Sequence, residues 1–256
     1  MEIRLLGAVE FWVGDRQLDL GPRKQRLALG ILALNVNKYT PVSRLVDLTW
    51  PDSPPRTAEH AIHVRISALR AVLTGARADG VELITRGSTY ILRADPLCVD
   101  IHRFRALVAS ARAEALDLDK AALLRRALDL WRGAPLADVA TPEMADQLCR
   151  GLEEARLAAI EECLEVELRI GRHHELISEL TELVAENPFR QRLTATLMLA
   201  LYRAGRTPDA LRAYQLARRR IISEFGIDTG RELRQLEKAI LRTDPALDPS
   251  TMPTPR

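Results

Sequence analysis

From Ile101 to Arg242 the chain carries helical periodicity almost without interruption, which commits more than half of it to packed helices. The residues before this stretch are patterned otherwise. Ile3–Gly7, Val9–Val13 and Gln17–Leu20 are short strand-like runs, the last two joined by the turn dipeptide Gly14-Asp15. Pro22 opens a helix through Asn35, with Leu27, Ile31 and Leu34 inward and Arg23, Lys24 and Arg26 near its start. A shorter helix, Val42 to Thr49, ends at Trp50-Pro51. Asp95–Asp100 is a connector between the two patterns. The fold class is therefore mainly α with a small β part. It divides into a domain over 1–95, an all-α domain over 99–242, and a tail over 244–256 whose four prolines predict disorder.

Within the first domain, Arg56 to Leu73 reads as an amphipathic helix. Pro54-Pro55 cannot continue a preceding helix, and Pro55 suits an N-terminal position. Ile62, Ile66, Leu69 and Leu73 form one buried stripe. The opposite side carries His60, Val64, Ser67 and Ala71, flanked by His63 and Ala68, with Arg65 and Arg70 on the shoulders. A major groove about 12 Å wide admits a helix only if its leading face is slim, and this one is. Val64 can meet a thymine methyl, and the histidines can bond base edges or phosphates. Behind the helix, Ile84–Leu92 alternates like a hairpin with Arg86-Gly87-Ser88 at its tip. A helix followed by a basic-tipped hairpin is the arrangement of a winged helix on DNA. A surface helix with one exposed valine is the plainer reading of the helix alone.

The helical domain contains one specific signal. Leu168–Arg172 and Tyr202–Arg206 lie 34 residues apart, and the same offset aligns Leu176 with Ala210 and Leu180 with Tyr214. Thirty-four is the tetratricopeptide period, in which helix pairs stack. Ala121 to Trp131 resembles a further such helix in degraded form. Helical repeats of this kind serve protein contacts. Arg218-Arg219-Arg220 and Glu161, Glu162, Glu165 and Glu167 read as solvated faces.

Charge and composition narrow the class further. Residues 1–100 hold 13 Lys and Arg against 11 Asp and Glu, so the whole net charge of +2 lies there. So small an excess predicts weak binding by a lone copy, and favours binding in pairs. No apolar run approaches a membrane span, and Met1–Arg4 does not begin a secretory signal, which points to a cytoplasmic, nucleoid-associated protein. Cys98, Cys149 and Cys163 match no zinc pattern and read as reduced core thiols. His173-His174 has no nucleophile or carboxylate set beside it, and no glycine-rich phosphate cradle occurs. Neither an enzyme, a cofactor nor a metal is expected.

On these residues the chain resembles the Streptomyces antibiotic regulatory protein family: an OmpR-type winged helix-turn-helix followed by a tetratricopeptide-like bacterial transcriptional activator domain. The resemblance is carried by Gly21–Arg26, Val42–Trp50, Val64–Arg70, Arg86–Tyr90, Val99-Asp100, Ala127–Gly133, Leu136–Asp138, Leu199–Arg206, Asp209–Leu211 and Glu224–Gly226. It implies an activator of secondary-metabolite genes that binds direct repeats in double-stranded promoter DNA. It further implies dimers formed on DNA through the helical domain, and recruitment of RNA polymerase through the sigma factor and the alpha C-terminal domain. Val64 and Ala68 fall at base-reading positions. Arg23, Arg56, Thr57, His60, His63, Arg65, Ser67, Arg70, Arg86, Ser88 and Thr89 complete the DNA-facing set. Trp50, Asp52 and Ser53 fall in the polymerase-contacting loop.

Two departures stand out. Ala68 replaces a frequent arginine, which weakens direct readout there. Thr89 replaces the usual glycine before the wing tyrosine, which restricts the tip and shifts Arg86. Neither the nucleotide-hydrolysing module of larger members nor a receiver domain is expected, which would leave control to abundance, a partner or a ligand of the helical domain. The competing reading is a helical scaffold or ligand sensor whose winged helix docks a partner protein. Gel shifts separate the two.

Overall fold

The computed structural model describes residues 1–76, 78 and 80–248, which fall into two compact units. Met1–Ser110 with Arg125–Arg156 make the first; Ala111–Leu124 with the chain from Leu157 make the second.

In the first unit β1 (Glu2–Arg4), β2 (Glu10–Val13) and β3 (Arg16–Gln17) form an antiparallel sheet, with Ile3 opposite Phe11 and Val13 opposite Arg16 across the Gly14-Asp15 turn. The first strand stops short of the expected Gly7 because residues 5–7 bond elsewhere. The N–H groups of Arg132, Leu136 and Ala137 donate to the carbonyls of Leu6, Leu5 and Gly7 at 2.7, 2.9 and 3.0 Å. Asp100, fully buried, accepts the Leu5 and Leu6 N–H groups at 2.8 and 3.0 Å and faces Arg132 Nη2 at 3.2 Å. Burial pushes this carboxyl upward, while the two N–H donors and Arg132 pull it down. Asp138 accepts from the Val9 N–H and from Arg26, both at 2.8 Å. Compactness therefore does not change at residues 95–99, where the sequence pattern does.

Three helices follow the sheet: α1 (Arg23–Leu34), α2 (Val42–Thr49) and α3 (Ala58–Gly75). A second sheet has the order β4 (Thr40–Pro41), β6 (Thr89–Arg93), β5 (Glu82–Arg86). Leu45, Ile62, Ile66, Leu69 and Leu92 have no exposed surface and form the core beneath α3. β4 is not evident in the sequence: it is two residues long and ends in proline, which only an edge strand tolerates.

The helical region comprises α4 (Asp100–Ala113), α5 (Asp117–Leu128), α6 (Pro142–Arg169), α7 (His173–Glu186), α8 (Gln191–Arg203), α9 (Thr207–Phe225) and α10 (Arg231–Leu241). The 34-residue offset is written into its hydrogen bonds. Arg172 N–H donates to the Glu167 carbonyl and Arg206 N–H to the Leu201 carbonyl. Gly171 and Gly205 hold the same left-handed place, φ 88° and 74°. Leu176 and Ala210, and Leu180 and Tyr214, are all buried. The degraded repeat helix ends at Leu128, before Trp131. That indole lies beyond the helix, edge-on to Phe104 with centroids 5.4 Å apart.

Three expectations are corrected. Glu161 and Glu167 are buried, and the acidic set is an ion-pair network: Arg192 meets Glu165 at 2.8 Å, Lys120 meets Glu162 at 2.8 Å, and Arg172 meets Glu167 at 3.2 Å. Residues 244–248 are ordered, since Asp244 caps a 3-10 turn at Pro245–Leu247 and Arg203 donates to the Leu247 carbonyl at 2.8 Å; the tail from 249 lies outside the described residues. Cys98 is only half-buried; Cys149 is buried, and burial pushes its thiol up to about 11. No described helix is long and apolar enough to cross a membrane.

Candidate nucleic-acid interface

α3 begins two residues later than its prolines suggest. Arg56-Thr57 form a turn in which the Ala58 N–H donates to the Pro55 carbonyl at 2.9 Å, so Pro55 precedes the helix. Ile62, Ile66, Leu69 and Leu73 are buried, as the stripe requires. The other side is bare: His60, His63, Val64, Ser67 and Ala71 are all exposed, Val64 by 54%. Ala68 is half-buried beside them. The four C-terminal side chains of this face present little bulk beyond one isopropyl group, which suits a groove.

The flanks of that face are fixed by different contacts. Toward the hairpin, Arg70 donates to the Leu83 carbonyl at 2.8 Å and to Thr85 Oγ1 at 2.6 Å, so it braces the wing instead of reaching outward. His63 shares a hydrogen bond through Nδ1 with the Tyr90 hydroxyl, the rings meeting edge to face. Burial raises the Tyr90 phenol against the pull of Arg70.

Toward α1 and α2, Trp50 takes two cations against its indole. Lys24 Nζ lies 4.3 Å and the Arg65 guanidinium 5.3 Å from the ring centroid, and Arg65 also donates to the Ala61 carbonyl at 2.7 Å. Arg23 is exposed, with its Nε donating to the Val139 carbonyl at 2.9 Å.

The hairpin forms as expected, with Arg86 opposite Thr89 across Gly87-Ser88. Thr89, in the place of a glycine, closes the tip: its hydroxyl donates to the Arg86 carbonyl at 2.7 Å. Ser88 accepts from the Val42 N–H at 2.9 Å, and Arg86 donates to the Tyr39 hydroxyl at 2.9 Å while remaining exposed. The loop Pro51–Thr57, with Asp52, Ser53 and Arg56, is exposed throughout; Trp50 is not fully exposed. Sequence reasoning did not assign Lys24, Tyr39 or Tyr90 to this surface. Lys24 stood in view beside Arg23, but its approach to Trp50 depends on how α1 and α2 pack. Among the described residues no group of three or more His, Cys, Asp or Glu is placed to hold a metal ion.

Comparison with known proteins places this architecture. Residues 99–241 match the bacterial transcriptional activator domain. The regulatory protein DnrI of Streptomyces peucetius is 35% identical, over 97% of this chain and 94% of its own length. The chain belongs to the Streptomyces antibiotic regulatory protein family. The transcriptional regulator RedD of Streptomyces coelicolor is 34% identical over 96% of the chain and 72% of RedD. The regulatory protein AfsR of Streptomyces griseus is 35% identical across the whole chain, which spans 26% of AfsR. Among solved structures, Mycobacterium tuberculosis EmbR in complex with low affinity phosphopeptide superposes with a TM-score of 0.89 at 31% identity, over 95% of this chain and 65% of that one. The family carries a winged helix ahead of a helical activator domain, and its function is transcriptional activation.

Proposed function

We propose that this activator sets α3 into the major groove of double-stranded promoter DNA and its wing tip against the neighbouring minor groove. Residues 1–95 bind the DNA; residues 99–242 supply the activator and dimer functions. The observation that carries this is the bare side of α3, where His60, Val64 and Ser67 stand exposed over a fully buried stripe. Arg65 and Lys24 on one flank, and Arg86 and Ser88 on the other, hold phosphates on either side of the groove. Arg23, Arg56 and Thr57 extend that backbone contact, and Thr89 fixes the tip. Base reading falls to Val64, with Ala68 a minor contributor; His60 and Ser67 hold phosphates, and His63 can bond a base edge or a phosphate.

With a net charge of only +2, one copy gains little from long-range attraction, which supports dimers on direct repeats. Asp52 and Ser53 on the exposed loop are offered to the sigma factor of RNA polymerase, with the alpha C-terminal domain as a second contact. No enzymatic step or cofactor enters this reading, and the protein works in the cytoplasm at the nucleoid.

Footprinting of the purified protein on the promoters beside its gene tests the reading. Protection of two or more repeats, spaced by whole turns of about 10–10.5 bp, is expected, with binding that falls steeply as salt rises. Absence of protection at low salt would instead favour a scaffold or ligand sensor whose winged helix docks proteins.

A further inference from the structure

Trp50 sits where the family resemblance puts a polymerase contact, yet its ring is already occupied. Lys24 Nζ and the Arg65 guanidinium both lie against the indole, at 4.3 and 5.3 Å from its centroid. The two cations come from different helices, α1 and α3, and Trp50 ends α2. Three helices therefore converge on one aromatic ring.

The electrostatics of this convergence are unusual. Neither cation has a carboxylate within ion-pair distance among the described residues, and the first turn of α1 contains no acidic residue. Burial, and then the charges of Arg65 and Arg23, hold the Lys24 ammonium below its ordinary value. Two like charges repel; the face of the indole offsets them, helped at Arg65 by the Ala61 carbonyl. Arg26, Arg112, Arg169, Arg192 and Arg218, by contrast, each have an acid partner. A pair of cations left without an acid, held on a rigid ring beside an exposed helix face, has the chemistry of a seat for one anion.

We infer that Lys24 and Arg65, held on the indole of Trp50, form a phosphate clamp for the DNA backbone on the side of α3 opposite the wing, and that Trp50 is a positioning residue for this clamp. This rests on the DNA-binding reading above and adds a role to it. The ligand is a phosphodiester oxygen, which accepts from an ammonium and a guanidinium at once. The clamp carries no sequence information; it sets how far α3 enters the groove. Arg65, tied to the Ala61 carbonyl as well, is already aimed, so little freedom is lost when phosphate arrives.

The test is a salt titration of promoter binding by the full chain. Replacing either cation, Lys24→Met or Arg65→Met, should reduce the slope of log K against log salt by about one, equally on specific and random DNA. Trp50→Ala should weaken binding about fivefold on all sequences, and Trp50→Phe, which keeps an aromatic face, should recover most of it. In a Lys24→Met/Arg65→Met background Trp50→Ala should have no further effect. Equal losses from Trp50→Ala in both backgrounds would overturn the inference. So would normal DNA binding by Trp50→Ala combined with lost transcription by polymerase, which would return Trp50 to the polymerase surface. If the unaltered protein fails to bind DNA at all, the underlying reading falls and the clamp with it; if it binds and the variants bind alike, only the clamp falls. Melting temperatures of the four single variants separate a lost seat from a lost fold.

Discussion

Asp100 shows how much one side chain can bind together. Its carboxylate accepts N–H groups from Leu5 and Leu6 and faces Arg132, with no exposed surface of its own. Asp100→Ala should cost about 3 kcal/mol, since it leaves two buried N–H donors without acceptors; urea unfolding of the variant measures this. Neighbouring single residues were legible in the sequence to very different degrees. The exposed quartet of His60, Val64, Ser67 and Ala71 follows from helical geometry alone, because only the period of 3.6 is needed. The burial of Glu161 and Glu167 does not, because it depends on cations from α8 and from the turn after α6. Arg70 was expected at phosphate and instead braces β5, since its partners lie across a loop whose path no local pattern reveals.

Among the elements, α2 was readable to the residue, and the hairpin in its tip but not in its ends, since its strands reach Glu82 and Arg93. Val42–Thr49 ends where Trp50-Pro51 forbids another turn, and the Gly87-Ser88 tip sets the pairing of Arg86 with Thr89. β1 was overextended, since residues 5–7 find their hydrogen bonds in 132–137. The repeat is the clearest agreement between pattern and geometry: Gly171 and Gly205 end equivalent helices in the left-handed region. Gly205→Ala should destabilise the protein by about 1 kcal/mol, because Ala must then adopt φ near 74°; a shifted melting midpoint would register it. The turn between α9 and α10 carries a pH signature. Arg218 and the Thr229 N–H hold the Asp228 carboxyl down to about 2, below its ordinary 3.8. The contribution of this group is therefore present above roughly pH 4 and is lost as pH falls through about 2. Acid titration followed by helical signal should show Asp228→Asn losing stability relative to the unaltered protein at neutral pH, with the difference closing near pH 2.

For the whole molecule, the two compact units do not coincide with the boundary at 95–99, where the match to the activator domain begins. Asp100, Arg132 and Asp138 belong by sequence to the activator domain, yet they hold the backbone and Arg26 of the N-terminal region. The winged helix and the start of the activator domain thus fold as one body, which a reading by local periodicity cannot detect. The central claim is that the outward side of α3 reads base pairs. Selection from a randomised DNA pool, run in parallel on the unaltered protein and on Val64→Ala, tests it most directly. The account predicts one enriched repeat for the unaltered protein, with preference relaxed at a single T·A pair in Val64→Ala and little change in non-specific affinity. An identical motif from both proteins would remove Val64 from the reading surface, and a pool that enriches no motif at any salt concentration would contradict the account as a whole.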